Sequence, residues 1–97
     1  MTKLNSDKYV ELMERFDTAR NGYRALARGA EASHMMLEQY VDVADLLELK
    51  NTLDAILVEA KERLRDYDEY LEVTSAAVSL ANAVESTMYL ARYVSNK

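Results

Sequence analysis

Arg20, Arg24 and Arg28 recur at every fourth position, the spacing that aligns side chains on one face of a helix. Guanidiniums so aligned have two uses. They can bridge to acids on a neighbouring helix, or they can converge on an anion and stabilise charge that develops during a rearrangement, as a small helical mutase-like enzyme with an Arg-lined pocket would. Ion pairing is the commoner fate of such a run. Glu31-Ala-Ser-His34 has the Glu-x-x-His spacing by which one helix offers two ligands to a carboxylate-bridged di-metal centre. That chemistry needs a second such pair, and His34 is the sole histidine, so neither a metal nor any other cofactor is expected. Met35 and Met36 beside it have the character of gap fillers or groove liners. With no cysteine in the chain, disulfides, thiolate metal sites and cysteine nucleophiles are excluded. No Gly-rich phosphate loop and no Ser on a strand-to-helix elbow occurs, which disfavours the common nucleotide-binding and hydrolase arrangements. The expectation is a protein that is not an enzyme.

The acids are more informative than the bases. Residues 1–40 hold six acids and six bases, 41–72 hold ten acids and four bases, and 73–97 hold one acid and two bases, giving the net charge of −5. Asp45, Glu48, Glu59, Glu62, Asp66 and Glu69 lie close to one seven-residue phase, so a helix through them would carry an interrupted acidic stripe. Such a stripe repels nucleic acid and attracts a basic protein surface. Seven tyrosines and no tryptophan are present, and exposed tyrosine is a favoured interface anchor. Glu59, Glu62, Asp66, Tyr67, Glu69 and Tyr70 therefore form the candidate partner-binding surface. The expected function is a non-enzymatic protein-binding module, a small acidic inhibitor or adaptor that docks on a protein with a basic surface, without direct nucleic-acid binding. The alternatives are an inhibitor that imitates nucleic acid to occupy a nucleic-acid-binding defence-type complex, and the mutase-like enzyme.

These side chains must be positioned by helices. The chain has no proline and two glycines, with abundant Ala, Leu, Glu and Met, and no segment alternates like a strand. Ser6 is a candidate N-cap, and apolar residues recur from Tyr9 through Leu12, Phe16, Tyr23, Leu26 and Ala30 to Tyr40. This predicts one helix over 6–40; Asn21-Gly22 and Gly29 are signals for a kink or break, but the apolar phase survives both and favours continuity. Leu46, Leu49, Leu53, Ile56, Ala60, Leu64, Tyr67 and Leu71 predict a second over 43–70, capped by Asp42 or Asp45. Ala77, Leu80, Val84, Met88, Ala91 and Val94 predict a third over 74–95, capped by Thr74 or Ser75 and widened by Ala76, Ala83, Leu90 and Tyr93. The fold class is all-α, an antiparallel bundle of three long helices in one domain spanning 1–97, open to completion by dimerisation. In that bundle the arginine stripe would lie level with Asp54, Glu59 and Glu62.

Residues 73–91 carry a single charge, Glu85, whereas 41–72 carry fourteen. A helix so poor in charge is covered on several sides, by its own bundle or by a partner chain. Its Ser, Thr and Asn content and Arg92 at its end argue against a membrane span. Gly22 and Gly29 share a helix side, and the small Ala76, Ser79, Ala83 and Ser86 are the candidates to pack against them or against a second copy. A homodimer is therefore expected. The N-terminal residues lack a signal-peptide core, so the expected location is the cytoplasm, away from membranes.

Overall fold

The computed structural model describes residues 6–95. They form four helices, α1 (Ser6–Ala32), the single-turn α2 (Leu37–Tyr40), α3 (Val43–Arg63) and α4 (Glu69–Ser95), and no strand occurs among the described residues. The first element begins at Ser6 as expected. Ser6 is itself a helical residue and so is not the cap of α1.

The first helix does not reach residue 40, and it breaks at neither glycine. It ends at Ala32 because His34 takes a left-handed conformation, φ 56°. The backbone then closes in the paired pattern that finishes many helices. Met35 N–H donates to Ala30 O at 2.9 Å and His34 N–H to Glu31 O at 3.1 Å. Gly22 and Gly29 both stay helical. Gly29 has a different purpose: a Cβ there would fall 2.8 Å from Tyr40 Cε2 and closer still to its Cζ and hydroxyl. The glycine makes room for Tyr40, which α2 folds back onto α1.

Asp42 caps α3, its side chain accepting from Ala44 N–H at 3.2 Å. The helix stops at Arg63 instead of continuing to 70. Leu64 closes its last turn, donating its N–H to Ala60 O at 2.8 Å, and buries its side chain completely. The connection through Arg65, Asp66 and Asp68 uses residues of which two are among the weaker helix formers. It carries its own turn bond, Tyr67 N–H to Leu64 O at 2.9 Å. α4 accordingly starts at Glu69, ahead of the expected 74. Thr74 is no cap but an interior residue whose hydroxyl donates to Tyr70 O at 2.8 Å, while Glu69 and Glu72 occupy the first turn, where the helix dipole favours acids.

The core is one cluster with Leu12, Phe16 and Ala19 from α1, Leu46, Leu53, Ile56 and Ala60 from α3, and Val73, Ala77, Val84, Met88 and Ala91 from α4. Each fully buried Leu, Ile or Val contributes about 1.5–3 kcal/mol. The contact between α3 and α4 is the most extensive in the molecule, and the small Ala60, Ala77 and Ala81 in the core let those helices approach closely. Cross-helix partners fix the directions. Lys8 and Gly22 of α1 meet Glu59 and Leu49 of α3, so these two run oppositely. Tyr9 and Tyr23 of α1 meet Glu72 and Thr87 of α4, so these two run the same way. The body measures 53 × 23 × 16 Å.

Candidate functional site

Each long helix keeps one face for the core, and the outward faces carry the groups available to a ligand or partner. The three arginines do not share one setting. Arg20 pairs with Asp17 of its own helix at 2.9 Å and lies over the Phe16 ring, 5.7 Å from its centroid, and Arg24 and Arg28 are exposed. Nor does the stripe meet Glu59, because α1 packs further along α3 than the sequence suggests: it is Lys8 and Arg15 that reach that acid. The open groove beside Gly22, between α1 and α3, has Asp45 and Glu48 as its charged lining. His34 sits past the end of α1 in a turn, so the helical geometry that Glu-x-x-His presupposes does not hold there.

The six residues of the expected partner surface divide. Glu59 is engaged within the fold, accepting from Arg15 and from Lys8 Nζ at 3.0 Å. The Arg15 bond and then the Lys8 bond hold its carboxyl below the usual range, and Glu59 raises Lys8 in return. Tyr67 and Tyr70 are half-buried and pack against the core. Glu69 is half-buried in the first turn of α4. Glu62 and Asp66 are exposed and share an open groove with Val58, Lys61 and Arg65. The acidic stripe is thus interrupted: Asp66 belongs to the turn and Glu69 to the next helix, and two basic side chains flank what remains. At the same end of α1, Tyr9 donates its hydroxyl to Glu72 at 2.8 Å. That bond, with burial second, raises the Tyr9 pKa.

A further group of exposed apolar side chains lies on α4. Leu71, Val78, Tyr89, Leu90, Tyr93 and Val94 of α4 are all exposed, Leu71 and Tyr89 by more than two-thirds at 71% and 73%. Between them stand the exposed Ser75, Ser79, Asn82, Ala83 and Ser86. Ser79, Ala83 and Ser86 therefore do not meet the glycines of α1, and Leu90 and Tyr93 do not widen the core face. Glu85, the one charge between residues 73 and 91, is held by Lys50 of α3 at 3.0 Å. The Glu85 bond, ahead of one from Asp54, raises the Lys50 pKa. The lack of charge along α4 was the signal for this face, but the sequence pattern assigned Leu71 to α3 and Tyr93 and Val94 to the interior. No helix among the described residues is long and apolar enough to cross a membrane.

Comparison of the chain with protein-family models, with characterised proteins and with solved structures returns no match.

Proposed function

We propose that this protein is a non-enzymatic protein-binding module, an inhibitor or adaptor that works by docking through the outer face of α4. The observation that carries this reading is that Leu71, Val78, Tyr89, Leu90, Tyr93 and Val94 are all exposed on the outer side of α4, where Glu85, the one charge between residues 73 and 91, is held by Lys50. Contiguous apolar surface on a soluble domain marks interaction sites, and tyrosine is enriched at them. The test is a photo-crosslinking amino acid placed at Tyr89 and, as a control, at the exposed Asn51 of α3, in the native host. Adducts with protein are expected from position 89 and not from 51; equal adducts from both positions, or none from 89, would reject the reading.

A second docking edge is supported by Glu62 and Asp66, exposed beside the apolar Val58. It suits a basic protein surface, reached by long-range attraction that salt weakens. Reversing both acids to Lys is expected to slow association with such a partner while leaving the helical content unchanged. An unaltered association rate would return them to the role of solvated surface.

A further inference from the structure

We propose that the turn joining α1 to α2 is an oxidation site, at which hydroperoxides convert Met35 and Met36 to sulfoxides while the bundle stays folded. The inference is independent of the docking face. Four of the five methionines of the chain lie among the described residues, and the fold divides them into two pairs. Met88 is 8% exposed within the core, and Met13 is half-buried and packs against it. Met35 and Met36 are 42% and 60% exposed, in a stretch, 31–36, of which every residue is exposed. Methionine ordinarily fills gaps in a core, and its thioether is oxidised where an oxidant can reach the sulfur. Two adjacent methionines are open to solvent here, and the other two are shielded.

The step is a two-electron transfer from sulfur to peroxide. The sulfur attacks the distal peroxide oxygen, an S–O bond forms as the O–O bond breaks, and the departing hydroxide or alkoxide takes up a proton to leave as water or alcohol. The thioether is oxidised and the peroxide reduced. The turn is closed by groups that this reaction does not touch. Ser33 N–H donates to Gly29 O at 3.0 Å and Met35 N–H to Ala30 O at 2.9 Å, Met36 N–H donates to Gln39 Oε1 at 3.4 Å, and the Tyr40 ring seats α2 against Gly29. A sulfoxide at either position therefore places a polar, strongly accepting oxygen on a surface already in water. At Met88 the same oxygen would enter the core, where an unpaired polar group is destabilising. Oxidation at Met35 and Met36 thus turns this end of the molecule from apolar to polar and leaves the packing of the helices as it was.

Trypsin separates the methionines, because Met13 falls in the peptide 9–15, Met35 and Met36 together in 29–50, and Met88 in 66–92. The test exposes the folded protein to dilute hydrogen peroxide, quenches and digests it, and follows the mass of each peptide with time. Peptide 29–50 is expected to gain one and then two oxygens while 9–15 and 66–92 gain none over the same interval, with the far-ultraviolet circular dichroism unchanged. In urea all three should gain oxygen at comparable rates. Uptake by 9–15 or 66–92 as fast as by 29–50 in the folded protein would overturn the inference. The same order in urea would also overturn it, since the selectivity would then lie in the local sequence and not in the fold. Loss of the helical signal as 29–50 is oxidised would show that these side chains hold the structure together, and would overturn it as well.

Discussion

His34 holds a left-handed backbone that costs a side-chain-bearing residue roughly 1–2 kcal/mol and costs glycine almost nothing. Its position closes α1, so His34→Gly should raise thermal stability by up to about 1 kcal/mol, read as a higher midpoint in calorimetry; an unchanged or lower midpoint would mean that the imidazole contributes something beyond the turn. The two glycines should part company in the same assay. At Gly22 a Cβ would meet only Leu49 Cδ2 at 3.4 Å, an ordinary contact, so Gly22→Ala should gain most of the ~1 kcal/mol difference in helix propensity. Gly29→Ala must displace the Tyr40 ring and should lose that gain or fall below wild type. The apolar phase of the sequence favours a helix continuous through both glycines, and α1 does run through both, but nothing in that phase separates one glycine from the other. Histidine gives little warning of a left-handed turn, and the ring that fills the space over Gly29 comes from a separate element.

Among the elements, helical periodicity was enough to identify the described residues as all-helical, because their buried residues fall at three- and four-residue spacings, but it ran α2 into the first helix and left the ends to something else. Asp42 was legible as a cap since its short carboxylate reaches its own helix. The end of α3 was not, for neither proline nor glycine marks it, and tertiary burial of Leu64 decides where the chain turns. That shift moved Leu71 from an expected core position to the outer face of α4 and divided the acidic stripe between two helices. The docking of α1 rests partly on Lys8, Arg15 and Glu59, and it should be pH-sensitive at both limits. Glu59 titrates lower in the folded chain than its ordinary 4.5, so its contribution is present above that value and is lost as pH falls through the lowered one. Lys8 and Lys50 are raised above 10.5, so theirs is complete below 10.5 and is lost as pH rises through the raised values. Urea midpoints of Glu59→Gln should therefore decline less than those of wild type on acidification below about 4.5. Parallel acid profiles would show that the cluster contributes nothing to stability, as many exposed pairs do.

At the scale of the whole molecule, an elongated body with a radius of gyration of 15.3 Å, against about 12.5 Å for a compact domain of its length, leaves one long helix half uncovered. The candidate site was legible only in outline. A charge-poor final helix pointed to cover by a partner, but which of its residues face outward depends on the rotation of α4 against α3, which composition does not encode. The central claim, that a protein docks on the outer face of α4, is tested most directly by photo-crosslinking from position 89 in the native host, with position 51 as the control and Val78→Lys as the comparison. Val78 is exposed, so that substitution should leave the fold intact while placing a cation on the face. Protein adducts should form from position 89 and not from 51, and should fall in the Val78→Lys variant while its circular dichroism is unchanged. Adducts that are absent from position 89, or that match those from 51, would contradict the account.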